Sequence, residues 1–297
     1  MRIFLTGATG FIGSHLVPEL IAAGHQVVGL TRSDDGATAL ARAGAEVCRG
    51  DVNDARCLEA ATPSVDGVIH TAFQHDFARL REHSENDRNV IRALGHALSG
   101  SSRPLIITSG TGLIRPRPGC PACETDAPPS SNDVPRAATE EAAAELIAQG
   151  IHAMVVRLPQ VHDTRHQGRL ALHIQLARQH GWVAYLGDGA NCLPAAHVSD
   201  VARLYRLALE TGTAGSRFHA VDEAGVPMRE IAEVIGAGLN LPVRSIAGPD
   251  AARYFGELAG LAALDLTASG ALTRQWLGWQ PAGPDLLTDL RGTDYGR

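Results

Sequence analysis

The sequence has no apolar run of the ~18 residues that a membrane-crossing helix needs, which excludes a helical span. It has no run of basic residues either, and its formal net charge is -6 with a pI near 6.1. That balance argues against a nucleic-acid partner, which needs a cationic patch to replace released counterions. Cysteines number five, an odd count in a chain of 297 residues, so no disulfide framework is read from them. Tyrosine is scarce as well: there are four, none before Tyr185, so residues 1–184 offer no phenol for acid–base work. The opening residues, MRIFLTGATG, lack a charged segment followed by a long apolar one. No targeting signal is read from them, and a reducing cytoplasm is the expected location.

What is present fits an ordinary globular α/β chain. Hydrophobic residues make up 44% and charged residues 20%, enough to bury a substantial core. The N-terminal half alternates apolar runs with helical patterns, the signature of a parallel sheet with crossover helices. Strands are expected at residues 1–5, 26–30, 45–48, 67–71, 104–108 and 153–157. Helices are expected at 12–23, 37–43, 55–61, 86–98 and 136–148, with Gly24, Gly44 and Gly150 closing three of them. Residues 112–134 are rich in proline and turn formers and read as a loop. The expected division is a dinucleotide-binding Rossmann unit over 1–160 and a smaller, mostly helical substrate lobe over 161–297. Within the second part, helices at 170–180, 199–211 and 228–238 and a strand at 218–221 are expected, with 197–221 returning to the sheet. The tail holding Trp276 and Trp279 is expected to pack as a small helical lobe.

The segment Thr6-Gly7-Ala8-Thr9-Gly10-Phe11-Ile12-Gly13 follows the first strand and opens the first helix. Gly7 permits a tight turn, Gly10 lets backbone approach a pyrophosphate, and Gly13 lets the helix pack closely on the sheet. Thr9, Phe11 and Ile12 complete the loop, and the helix N-terminus turns free N–H groups toward the phosphates. The second strand ends in Thr31-Arg32-Ser33. An acidic residue there would favour NAD(H); Arg32 favours the 2′-phosphate of NADP(H), with NAD(H) the alternative.

These motifs resemble the extended short-chain dehydrogenase/reductase superfamily, whose members include NAD-dependent epimerases and dehydratases. The resemblance continues through Gly50-Asp51-Val52, His70-Thr71-Ala72, Arg157-Leu158-Pro159-Gln160-Val161 and Ala196-His197-Val198-Ser199-Asp200-Val201-Ala202. It implies cofactor contacts from Ser33, Asp51, Val52, Thr71, Ala72, Phe73, Pro159 and Val161. It also implies a catalytic serine after the fifth strand and a Tyr-x-x-x-Lys opening the next helix. Here the serine register falls on Gly110, between Ser109 and Thr111, while Asn132 stands for the tyrosine and Arg136 for the lysine.

An amide cannot deliver a proton near neutral pH and an arginine stays protonated, so neither replaces the phenol as acid. Arg136 can still clamp the cofactor ribose and stabilise an alkoxide, with Asn132 and Thr111 beside it. His75 and, less favourably, His162 are the candidate proton donors. The expectation is an NADP(H)-dependent oxidoreductase reducing a small or medium organic carbonyl or conjugated compound. A cofactor-binding sensor and an isomerase or lyase on the same scaffold are the alternatives. Cys120-Pro121-Ala122-Cys123 lacks the further ligands a zinc site needs and is read as loop, with no metal expected. The resemblance further implies a homodimer through the helices at 86–98 and 136–148.

Overall fold

The computed structural model describes the chain except His75, Pro118 and Arg297. Seven short strands form one parallel sheet. In chain order they are β1 (Arg2–Thr6), β2 (Gln26–Thr31), β3 (Glu46–Arg49), β4 (Gly67–His70), β5 (Leu105–Gly110) and β6 (Ala153–Leu158), with β10 (Arg217–His219) last. Their spatial order is β3-β2-β1-β4-β5-β6-β10, and every neighbouring pair runs parallel. The order reverses between β1 and β4, opening a crevice at the carboxyl ends of those strands. β1, β4 and β5 are almost wholly buried because helices cover both faces of the sheet.

One face carries α1 (Phe11–Ala22) and α7 (Val198–Thr211), whose Leu16, Leu20, Leu204 and Tyr205 pack on Leu5, Ile69 and Ile106. The other carries α3 (Ala55–Ala61), α4 (Leu80–Ala97) and α5 (Ala138–Ala148), with Leu58, Ile91, Leu94 and Leu146 against Phe4, Val68 and Ile107. Helix α2 (Asp34–Arg42) closes the edge beside β2 and β3.

The remaining chain forms a smaller layer. Strands β7 (Gln160–His162), β9 (Cys192–His197) and β11 (Glu223–Pro227) make a three-stranded sheet, and β8 (Val183–Leu186) pairs with β12 (Val243–Ile246). Helices α6 (Leu170–His180), α8 (Met228–Leu239) and α12 (Leu286–Gly292) enclose a core of Leu170, Ile174, Val226, Ile231, Ile235 and Leu290. Short helices α9 (Pro249–Phe255), α10 (Ala259–Ala262) and α11 (Ala271–Leu277) complete the chain. Among the described residues no helix is long and apolar enough to cross a membrane.

Several expectations are corrected. Helix α4 begins at Leu80, well before residue 86, because its polar first turns are tied by Arg79–Glu82 and Arg88–Glu85 pairs rather than by an apolar stripe. Helix α5 begins at Ala138, after a 3-10 turn over Pro135–Ala137 whose proline sets its start. Trp279 does not join a separate tail lobe: it is 1% exposed within the main core, and its indole N–H donates to the Asp200 carbonyl at 2.9 Å. Trp276 is 46% exposed.

Candidate active site

The glycine loop is built for close approach of something other than a side chain. Gly7 has φ +70°, and a Cβ there would lie 2.6 Å from Thr71 Oγ1 and 2.7 Å from the Ala72 nitrogen. A Cβ on Gly13 would lie 2.1 Å from the Gly7 carbonyl oxygen, so helix and loop touch backbone to backbone. Gly10 donates to the Gly7 carbonyl at 2.9 Å and caps α1 without any side-chain hydrogen bond. The first-turn amides of Phe11, Ile12 and Gly13 therefore face outward at the positive end of the helix dipole, with Thr9 exposed beside them. This geometry fits a dinucleotide pyrophosphate. His166, which the motif did not disclose, stacks on Phe11 at 4.7 Å between centroids, and Asp163 lies 3.5 Å from His166 and 3.7 Å from His15.

At the tip of β2 the Arg32 side chain is 74% exposed, with Nη1 3.4 Å from Asp51 Oδ2. The Asn53 backbone amide, with Arg32 adding to it, holds the Asp51 carboxyl below its ordinary range. Ser33 serves as a cap: its Oγ accepts from the Gly36 amide at 3.1 Å at the start of α2. Asp34 faces away, paired with Arg49 at 2.7 Å. Val52 is half-buried beside Asp51.

At the ends of β1, β4 and β5 the chain assembles a buried polar network. Thr6 Oγ1 lies 2.6 Å from His70 Nδ1, and His70 Nε2 lies 2.9 Å from Asp87 Oδ1. The other Asp87 oxygen accepts from Arg136 Nη1 at 2.7 Å and from the Thr139 hydroxyl. Arg136 also donates to Thr139 Oγ1 and, through Nη2, to the Thr108 carbonyl at 3.1 Å. Its guanidinium carbon stands 3.7 Å from the centroid of the Phe73 ring, a cation–π contact. Burial raises the Asp87 pKa, but the Arg136 charge and the His70 hydrogen bond outweigh it and hold the carboxyl below the usual range. Burial lowers the Arg136 pKa, and the Asp87 and Glu140 charges oppose that.

The expected site residues are only partly gathered. Thr71 donates from Oγ1 to the Thr6 carbonyl at 2.8 Å, and the Ala72 amide stands 3.5 Å from Thr6 Oγ1, so the β4 end faces the glycine loop. Thr111 is buried, donating to the Leu158 carbonyl at 3.3 Å; Pro159 joins β6 to β7, and Val161 lies on β7. Asn132 is exposed in a turn ahead of α5. Its position outside the helix means that the four-residue spacing does not put it on one helical face with Arg136. His75 lies outside the described residues. His162 is fully buried with Nδ1 2.7 Å from Asp289 Oδ2, and burial lowers its pKa, so it faces α12 and not the crevice. Gly110 has room: a Cβ there would meet only the Leu158 carbonyl, at 3.8 Å.

A second buried network lies one layer further along the sheet. Ser109 Oγ and Arg157 Nε donate to Glu140 Oε1, each at 2.8 Å, and Arg157 Nη2 donates to Oε2 at 2.7 Å. Arg157 Nη1 is 3.2 Å from His219 Nε2, while His219 Nδ1 is 2.9 Å from the Ser269 carbonyl. Sequence reasoning missed Asp87, although its spacing to Val90, Ile91 and Leu94 put a carboxylate on an apolar helical face. Cys120 is exposed, and Cys123 contacts Thr125 Oγ1 at 3.2 Å. Among the described residues no cluster of three metal-ligating side chains exists.

Residues 3–221 match the NAD dependent epimerase/dehydratase family. The chain belongs to this family. It is 43% identical to the uncharacterized protein C2A9.02 of Schizosaccharomyces pombe, covering 99% of this chain and 100% of that one. It is 40% identical to the uncharacterized protein YLL056C of Saccharomyces cerevisiae, covering 98% of each. Its fold is similar to DesIV, a dTDP-glucose 4,6-dehydratase of Streptomyces venezuelae solved with NAD and TYD bound. That match has a TM-score of 0.77 at 21% identity and covers 98% of this chain and 96% of that one. The fold is thus that of the extended short-chain dehydrogenases.

Proposed function

We propose that this epimerase/dehydratase-family chain is an NADP(H)-dependent oxidoreductase acting on a small or medium organic carbonyl or conjugated compound. The observation that carries the reading is Arg136, held by Asp87, Thr139 and the Thr108 carbonyl with its guanidinium over the Phe73 ring, at the position where the resemblance implies the family's lysine. A bound nicotinamide supplies hydride chemistry. The chain's residues supply the rest: the α1 amides hold the diphosphate, Arg32 turns from Asp51 to the 2′-phosphate, and Arg136 presents a fixed cation beside the reacting centre. DesIV binds NAD; the exposed Arg32 at the β2 tip favours the phosphorylated cofactor here, with NAD(H) as the weaker ligand. Stabilising the product oxygen by a fixed charge without a phenol suits substrates whose product anion is already delocalised. A homodimer through α4 and α5 and a cytoplasmic location belong to the same proposal.

The test is calorimetric titration with NADPH and NADH, followed by the absorbance of the reduced nicotinamide across a panel of aldehydes, ketones and enones. Consumption with at least one compound, abolished by Arg136→Ala, supports the reading. A second reading, a cofactor-responsive sensor, is favoured by one observation: Arg136 already has its counter-charge in Asp87. Tight NADPH binding with no consumption across the whole panel would select it.

A further inference from the structure

Two arginines at the sheet come with carboxylates: Arg157, fully buried, with Glu140 at 2.7 Å and Arg136, part-buried, with Asp87 at 2.7 Å. Arg169, also part-buried, has no such pair among the described residues. It is the N-cap residue of α6, without a side-chain cap hydrogen bond, and desolvation brings its pKa down to about 10. One helical turn on, His173 lies edge-on to Phe255 of α9, ring centroids 5.8 Å apart. Both of its ring nitrogens are sealed from solvent with no hydrogen-bond partner. Burial and the Arg169 charge bring its pKa down to about 4; the Arg169 carbonyl pulls the other way without completing a hydrogen bond.

The two residues share one face of α6 by their four-residue spacing, while Leu170, Ile174 and Ala177 turn into the lobe core. Packing the core therefore does not require this pair. Their placement ties them to the cofactor side. Gly168, next to Arg169, has φ +48°, and a Cβ there would lie 2.7 Å from Gln160 Nε2 and 2.9 Å from the Val161 carbonyl. The start of α6 is thus pressed against β7, the strand that continues from Pro159. A part-buried guanidinium with no carboxylate partner among the described residues, on the same helical face as a histidine with two idle nitrogens, is complementary to an oxyanion able to take both kinds of hydrogen bond.

We infer that Arg169, backed by His173, anchors an anionic group of the substrate, a carboxylate or a phosphate. Only the word substrate rests on the proposed oxidoreductase reading. The test uses the whole protein saturated with NADPH, so that the α1 amides and Arg32 are already engaged. Para-formylbenzoate, its methyl ester and inorganic phosphate are titrated by calorimetry, and the histidine ring protons are followed by NMR.

One of the two anions should bind at one per chain while the ester does not, and which one binds fixes the class. Arg169→Met should weaken it about 10-fold or more, the scale of a lost charge-assisted pair, and leave NADPH affinity unchanged. Arg169→Lys should retain part of the affinity and guards against a misfolded Met variant. The His173 resonance, identified by its loss in His173→Gln, should titrate at higher pH with the anion bound, which no purely structural role would produce. Absence of anion binding, equal binding of acid and ester, or full affinity in Arg169→Met overturns the inference. Because the readout is binding, a panel without NADPH consumption sinks the oxidoreductase reading and leaves this result standing. The same titration without cofactor serves if NADPH does not bind.

Discussion

Arg136 pairs with Asp87 and, in the proposed function, also holds the cofactor; the two roles separate by substitution. Removing it strands Asp87, a buried carboxylate whose remaining partners are His70 and Thr139. Leaving one member of a buried pair uncompensated costs about 3–5 kcal/mol, so Arg136→Ala should lower urea stability by that order and weaken cofactor binding too. Arg136→Met with Asp87→Asn removes both charges and should recover most of the stability but none of the cofactor affinity. If the double variant binds cofactor like the parent, Arg136 is structural only. The chain contains no lysine, all 26 of its basic Lys/Arg positions being arginine, so an arginine rather than a lysine at position 136 follows a chain-wide preference. Arg32 poses a simpler question. It is exposed and only loosely paired with Asp51, so it is free to meet a 2′-phosphate. NADPH should bind more tightly than NADH by about 1.5–3 kcal/mol, and Arg32→Ala should erase most of that difference. Equal calorimetric affinities in the parent would refute the assignment.

The elements of the main sheet were legible because strands covered on both faces are short apolar runs, and helices between them carry a 3.6-residue stripe. Helices at 55–61 and 170–180 match the structure to the residue. Strands of the smaller layer were not legible. β8 and β12 form an isolated two-stranded pair, and β9 reads Cys-Leu-Pro-Ala-Ala-His, with a proline and no β-branched residue. The glycine cradle showed itself through spacing. The Asp87 and Glu140 networks did not, because their partners come from other elements and meet only through the fold. Helix α5 shows what such a partner does. It has little apolar asymmetry, and Glu140 pins it to β5 and β6 by hydrogen bonds from Ser109 and Arg157. Glu140→Ala should therefore cost about 3–5 kcal/mol by leaving Arg157 buried and unpaired, while adding Arg157→Met should restore part of it. A loss under ~1 kcal/mol in the single variant would mean that packing, not the pair, seats the helix.

At the scale of the whole molecule, the C-terminal segment returns to the first half of the chain. Trp279 enters the main core, and Asp200 accepts from the amides of Ala282 and Gly283 at 3.0 and 2.7 Å. His219 joins the same closure: it lies on the edge strand β10, its backbone amide donates to Thr273 of α11, and its ring bridges Arg157 and the Ser269 carbonyl. Those partners define one tautomer, with Nδ1–H donating to the carbonyl and Nε2 accepting from the guanidinium. A proton on Nε2 would set two cations face to face. Burial, with the Arg157 charge, accordingly brings the His219 pKa down to about 4 from 6.5. The folded pKa is the lower one, so on acidification the unfolded chain takes up the proton first. The stability this imidazole confers is full above pH 6.5 and is lost progressively down to about pH 4. The slope from this one group is steepest near the middle of that window, where it approaches about 1.4 kcal/mol per pH unit. His219→Gln keeps an acceptor for Arg157 and a donor for Ser269 but cannot titrate. Urea unfolding at pH 7, 6 and 5 should show the parent losing its advantage over His219→Gln as pH falls. Parallel losses in the two proteins would show that other groups, among them the equally depressed His173, carry the acid sensitivity alone.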